Sequence, residues 1–375
     1  MAHTFNLITT DIKENLQTNF SGGVVVGNEV IFVPAQYNEI GIFNTDTLKF
    51  RTIDISNNIT PVSGIKFSGA AVLENKVIFV PYNARNIGVY DVTTNTFSYD
   101  PPSSGSLPNV NAKFSGAAVF GDKVIFAPYN ADNIGVYDVT TNTFSYDPPL
   151  SGSLSNVNAK FSGASAIGNN VIFAPYRAEE VGIYDVSTKT YTSKTTKGLV
   201  QSGVTLYSGA TSLENNVILS PQQANHVCVY NNTNIELSFS PPINENTYAF
   251  SGACTIGNKV IFAPYNSNSI GIFDIGETNI YSNFKPEDQK TKTFMETNEK
   301  FNGAVSVGNK VIFIPKSTKY VGVFELNKSS EKDDSETNFN IILGLSIGLG
   351  IPILVIIILL IIKDPANVIY KNKFT

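Results

Sequence analysis

The chain is predicted to be an all-β protein, a seven-bladed β-propeller of four-stranded blades whose N-terminal strand closes the last blade, followed by one C-terminal transmembrane helix. Three observations lead there. An aromatic residue followed by Ser-Gly or Asn-Gly recurs at Phe20, Phe67, Phe114, Phe161, Tyr207, Phe250 and Phe301, spaced 47, 47, 47, 46, 43 and 51 residues apart, a period that suits one four-stranded sheet per repeat. The last unit stops at Val321-Gly322-Val323-Phe324-Glu325, one strand short, while Thr4-Phe5-Asn6-Leu7-Ile8 stands before the first unit without a partner. From Ile341 to Ile362 no charged residue occurs, a run long enough to cross a hydrocarbon core of about 30 Å as a helix. The organisation expected is therefore a propeller over 1–326, a charged stalk over 327–340, a span over 341–362 and a short polar tail over 363–375.

Within a unit, each strand follows from its residues. The opening strand, Ser68-Gly69-Ala70-Ala71 in the second unit, is small because bulk does not fit where several sheets meet at one axis. A hairpin follows, Glu74-Asn75 here but Gly27-Asn28, Gly121-Asp122, Gly168-Asn169, Gly257-Asn258 and Gly308-Asn309 elsewhere; such pairs suit a two-residue turn because both residues tolerate positive φ. The next run, Val77-Ile78-Phe79-Val80, recurs as Val124-Ile125-Phe126-Ala127 and Val260-Ile261-Phe262-Ala263. Apolar without alternation, it predicts a strand buried on both faces. A proline ends it in every unit: Pro34, Pro81, Pro128, Pro175, Pro221, Pro264 and Pro315. The third strand, Ile87-Gly88-Val89-Tyr90, leads into Asp91-Val92-Thr93-Thr94-Asn95-Thr96, where Asp and Asn can bond their own backbone in a turn, and Phe97-Ser98-Tyr99 begins the fourth.

The succession of small strand, hairpin, apolar strand and Tyr-Asp-x-x-Thr-Asn-x-aromatic resembles the kelch family of propellers from about Phe20 to Glu325. Two departures stand out. Val/Ala-Pro-Tyr replaces the family's double glycine after the second strand, and Phe97, Phe144 or Tyr191 replaces the usual Trp of the fourth. The third unit repeats the second almost letter for letter, as recent duplication would leave it.

Composition narrows function. With 26 Lys+Arg against 31 Asp+Glu the net charge is -5, which supplies no basic field for a phosphate backbone, so nucleic acid is not expected as a partner. The two cysteines, Cys228 and Cys254, stand where other units carry small residues and read as buried free thiols rather than a disulfide. The span implies a single-pass membrane protein that contacts the lipid bilayer through Ile341–Ile362. Residues 1–16 contain no apolar leader core, so the expectation is a tail-anchored chain with its propeller in the cytosol, although Lys363, Lys371 and Lys373 favour the opposite orientation. Gly344 and Gly348 are spaced as helix-packing residues and imply at most weak self-association within the bilayer.

Chemistry is sparse. His3 and His226 are the only histidines, too few for a copper propeller, and Arg51, Arg85 and Arg177 lie in separate units rather than as a carboxylate-binding cluster. No catalytic, metal or cofactor residue is therefore assigned. Asp91, Asp138, Asp185 and Asp274 recur at one turn as structural residues. The loops after each proline vary most and are expected to ring one entrance on one face, where a rigid scaffold presents binding residues: Gln36, Asn38, Asn83, Arg85, Asn130, Asp132, Arg177, Glu179, Asn225, His226, Asn266, Asn268, Lys316 and Lys319. The expected function is a membrane-anchored, non-catalytic scaffold binding a protein or glycan ligand at that face. A propeller enzyme on carbohydrate or small ester substrates, and a structural envelope protein of a large DNA virus, are the alternatives.

Overall fold

The computed structural model describes residues 3–14, 17–60, 62–99, 101–149, 154, 157–197, 204–245, 247–275 and 280–326, all within the compact unit His3–Leu326. Seven four-stranded antiparallel sheets follow one another in chain order. Six are built from consecutive strands, over 20–54, 67–98, 114–149, 161–195, 207–239 and 250–284. The seventh takes three strands from 301–325 and its outer strand, β1 (Thr4–Thr9), from the N-terminus. β1 runs antiparallel to Tyr320–Glu325, from Thr4 opposite Glu325 to Thr9 opposite Tyr320, so the expected closure is present. The predicted stalk, span and tail, with Gly344 and Gly348, lie outside the described residues. Among the described residues no helix is long and apolar enough to cross a membrane.

The aromatic-Ser-Gly motif has one task for each of its three residues. The glycines Gly22, Gly69, Gly116, Gly163, Gly209, Gly252 and Gly303 form a closed ring on the axis in which each backbone lies against the next. A Cβ at Gly163 would stand 2.7 Å from the Gly209 Cα, and one at Gly303 3.2 Å from the Gly22 Cα. The neighbouring serines tie successive blades: Ser21, Ser162, Ser208 and Ser251 each donate to the carbonyl of the next blade's motif aromatic, at 2.6–2.9 Å. Asn302 does the same for Phe20 at 3.3 Å, closing the circle. The aromatics themselves are fully buried beneath a glycine of the third strand; a Cβ at Gly88 would meet the Phe67 ring at 2.8 Å and Phe97 at 3.0 Å. In the fifth blade that glycine is Cys228, and the rings of the second and fourth strands shrink in step to Leu219 and Leu237. The freed volume accommodates the thiol.

Second strands are buried on both faces, as their unbroken apolar runs imply. Ile31, Val33, Ile40 and Ile42 of the first blade pack with Phe67, Val77, Phe79 and Tyr90 of the second. The two-residue hairpins depart from expectation in one respect. Positive φ falls on the first residue alone, Gly27 at 62°, Glu74 at 54° and Gly121 at 60°, so the second is Asn or Asp without needing left-handed freedom. At the later turn Asp91 Oδ1 accepts from the backbone of Thr93 and Thr94 at 2.9 and 3.0 Å, and Asp138 and Asp185 repeat the pattern. These are structural turns.

Two insertions were not foreseen. The 51-residue gap holds the helix Gln289–Met295, capped by the Asp288 carboxylate on Thr291 N–H. The 101–112 connection crosses to the outer edge of the third blade, where Ser104 bridges Thr143 in parallel and occupies hydrogen-bonding positions an unpaired edge would expose. Gly105 is obligatory there, because a Cβ would fall 1.8 Å from the Phe144 carbonyl oxygen.

Two measurements check this architecture. Phe5→Ala removes a β1 ring packed on Phe301 and Phe313 and is expected to cost about 3–5 kcal/mol; a melting temperature equal to wild type would contradict the closure. Gly163→Ala, at a position with no left-handed backbone to confuse the outcome, is expected to destabilise by about 1–3 kcal/mol through crowding against Gly209, read as a lowered denaturant midpoint.

Candidate binding site

The loops after the prolines stand at the end of the ring where inner strands begin and second strands finish, since Phe67 pairs with Pro81 and Phe114 with Pro128. A belt of backbone hydrogen bonds holds them. The residue before each motif aromatic donates to the carbonyl of the post-proline residue one blade earlier, at 2.5–3.1 Å, for example Lys113 to Tyr82, Lys160 to Tyr129 and Asn19 to Lys316. It then accepts from the post-proline N–H of its own blade at 2.8–3.0 Å. The belt passes through all seven blades and returns to its start.

In four blades the residue before the motif aromatic is a lysine, Lys66, Lys113, Lys160 and Lys300, all buried. Their ammonium groups reach loop carbonyls: Lys66 on Gln36 at 2.9 Å, Lys113 on Asn83 at 3.5 Å, and Lys160 on Ala131 at 3.2 Å with Asp132 at 3.7 Å. Burial pushes Lys66 and Lys300 down to about 8 and lowers Lys113 and Lys160, because a desolvated ammonium is disfavoured.

The candidate residues divide into internal latches and exposed side chains. Asn83, Asn130 and Asn266 turn their amide oxygens onto the N–H of Ala112, Ala159 and Glu299 at 2.8–3.0 Å; those three acceptor-bound residues have φ of 53–58°. Gln36 accepts from Thr18 N–H at 2.9 Å. His226 places Nδ1 2.6 Å from the Ser240 carbonyl, so it is a loop brace rather than an open solvent-facing ring. Lys316 pairs with Glu299 at 2.6 Å, and Lys319 with Glu14 at 3.2 Å. Asn38, Arg85, Asp132, Arg177, Asn225 and Asn268 are exposed, and Glu179 is partly so.

What the sequence reading passed over is the residue between proline and loop. Around the ring that position carries Ala35, Tyr82, Tyr129, Tyr176, Gln222, Tyr265 and Lys316, and from Tyr82 onward these line a cavity of about 370 Å3 at the channel mouth together with the Ser-Gly segments. The rings of Tyr82, Tyr129 and Tyr176 form an arc, with centroids 5.4 and 5.7 Å apart. The Lys316 ammonium lies 5.0 Å over the Tyr265 ring, whose hydroxyl donates to Glu299 at 3.1 Å. Burial raises the phenols of Tyr82 and Tyr129 and pushes Tyr176 up to about 12, so they remain neutral hydroxyls at physiological pH. The signal in the sequence was the Pro-Tyr that follows the second strand in four of the blades, at Tyr82, Tyr129, Tyr176 and Tyr265. Among the described residues no group of three His, Cys, Asp or Glu is placed to hold a metal ion.

No protein-family model matches the chain, and no curated protein matches it. Among solved structures it is similar to a catalytically inactive virginiamycin B lyase from Staphylococcus aureus with quinupristin, 14% identical over 87% of this chain and 100% of that one, with a TM-score of 0.67. It is also similar to the RRP9 WD40 repeats, 12% identical over 86% and 97% of the two chains, with a TM-score of 0.63. At such identities the likeness is one of fold.

The buried lysines set a pH dependence. Their folded values lie below the ordinary lysine value of about 10.4, so between about 8 and 10 the unfolded chain binds more protons and stability rises with pH. Above about 10 the raised phenols reverse the trend, since the unfolded chain then loses protons first. The denaturant midpoint at pH 9 is therefore expected to exceed that at pH 7, and Lys66→Met with Lys300→Met to remove most of the rise; a midpoint that falls from pH 7 to 9 contradicts the assignment.

Proposed function

We propose that the chain is a kelch-like propeller, held at a membrane by its C-terminal segment with the propeller on the cytosolic side, that acts as a non-catalytic scaffold for a protein or glycan ligand at its loop face. The observation that carries this reading is the tyrosine arc at the mouth of a closed ring, with the exposed side chains of Arg85, Arg177, Asn225 and Asn268 on the loops that follow the prolines. Aromatic rings with a polar tip bury area at small entropic cost, and the latches beneath them keep the face preorganised. The apolar sequence Ile341–Ile362 supports the tether.

Two measurements bear on it. The full chain is expected in the pellet of carbonate-washed native membranes, and release of the full chain overturns the tether. Replacing Arg85, Arg177 and Glu179 together by alanine is expected to reduce recovery of the partner cross-linked in native membranes at least tenfold with the melting temperature preserved; undiminished recovery overturns the assignment of the face.

A further inference from the structure

We propose that the hairpin end of the propeller, over the sector of blades five, six, seven and one, is a lipid-contact face that rests on the surface of the bilayer holding the C-terminal segment. This goes beyond the scaffold reading and rests on its tether. The chain leaves the propeller at this end: Glu325 pairs with Lys310, the first residue after the Gly308-Asn309 hairpin, and Leu326 N–H donates to the Asn309 carbonyl at 3.3 Å. From there 14 residues, 327–340, lead to the apolar run Ile341–Ile362. At full extension such a stretch reaches about 50 Å at most.

Apolar side chains tip that end on one side only. The turn before the fourth strand holds one residue with left-handed backbone, at Leu48 (φ 55°), Asn95 (58°), Asn142 (52°), Lys189 (56°) and Ile235 (56°). Asn tolerates this conformation, whereas a β-branched residue there is an outlier. Leu48 in blade one and Ile235 in blade five are nonetheless 38% and 47% exposed, and Ile280, which begins the fourth strand of blade six, is 57% exposed. Blades two, three and four carry Thr96, Thr143 and Thr190 at the position of Ile280. The first blade packs on the seventh, the seventh on the sixth and the sixth on the fifth. The three apolar tips therefore flank the exit in blade seven, and the polar tips of blades two to four lie across the ring.

The turn itself does not call for Leu or Ile at these positions, since Asn serves in the copies at Asn95 and Asn142. A bilayer surface does, because exposed apolar side chains sink into the boundary between headgroups and acyl chains. The attraction is apolar rather than electrostatic: Arg51 is paired with Glu29 at 3.2 Å, Lys259 with Asp274, and Lys310 donates to the Thr45 carbonyl at 3.0 Å. Little basic field is left for anionic headgroups. Three tips would hold a free protein weakly, but the tether makes the contact intramolecular and raises the effective concentration of the surface. The loop face, at the other end of the ring, is thereby turned away from the bilayer.

The test uses the full chain reconstituted into phosphatidylcholine vesicles. Asn309→Cys in blade seven and Asp122→Cys in blade three both change the second residue of a hairpin, and each is labelled with bimane, because Cys228 and Cys254 are buried. Headgroup-nitroxide lipid is expected to quench the Asn309 label at least threefold more than the Asp122 label, with no increase when phosphatidylserine is added. Leu48→Asn, Ile235→Asn and Ile280→Thr together borrow residues of blades two and three. They are expected to abolish the difference while the melting temperature is maintained and the chain still floats with the vesicles. Should the triple variant fail to fold, Ile280→Thr decides, since it lies outside the left-handed turn, and it is expected to halve the excess quenching. Equal quenching of the two labels, or a difference that survives the substitutions, overturns the proposal. So does an Asn309 label shielded from aqueous iodide yet beyond the reach of the nitroxide, which assigns the tips to a second copy of the chain. Release of the wild-type chain by carbonate overturns the tether alone if flotation at neutral pH still depends on the three tips, and overturns both readings if it does not.

Discussion

At the axis backbone packs directly on backbone, and every layer outside it depends on that approach. Seven inner strands can converge only because the residue facing the neighbour is glycine; at Gly116, Gly163 and Gly209 a single methyl would come within 2.7–2.8 Å of the next blade's Cα. Convergence at this radius brings the motif serines Ser21, Ser162, Ser208 and Ser251 within reach of the next blade's carbonyl and Ser68 within reach of the Ser115 hydroxyl. It also aligns the post-proline residues so that their N–H and C=O groups join into a circumferential belt. The interior edges of the blades are in this way satisfied by one another, as buried peptide groups must be.

Outside that ring the interaction is steric and apolar. Each blade is a wedge whose second strand is buried on both faces, with an aromatic of the first strand inserted under a third-strand glycine. The fifth blade makes the coupling visible. Cys228 in place of glycine is tolerated because Leu219 and Leu237 stand where the other blades have rings, so three positions on three strands behave as one volume. A core of this density responds to a change at one position through its neighbours.

Much of this was legible in the sequence, and the parts that were not share a cause. The repeat, the four strands, the turns built on Asp91 and Asp138 and the closure by Thr4–Thr9 all depend on residue types with local preferences. The belt depends on peptide groups, which every residue carries, and so leaves no mark on composition. Asn83, Asn130 and Asn266 look like loop binding residues in a linear reading because polar side chains in variable loops are ordinarily solvated; only the fold reveals that they hold left-handed residues of the adjoining entry segment. Tyr82, Tyr129 and Tyr176 lie 47 residues apart. Their meeting in an arc is a property of ring closure, not of any one repeat. The helix Gln289–Met295 has 7 residues, too short for periodicity to declare it.

The composite seventh blade carries a mechanical consequence. β1 pairs with Tyr320–Glu325 so that Thr4 faces Glu325 and Thr9 faces Tyr320, which brings the incoming and outgoing ends of the propeller chain to the same end of one ladder. Tension applied across those two ends peels the ladder rung by rung, starting at Thr4–Glu325, instead of shearing all its rungs together. A load between the two ends thus frees β1 from the seventh blade first, while the glycine ring, the Asn302 tie and the belt still hold that blade to the first.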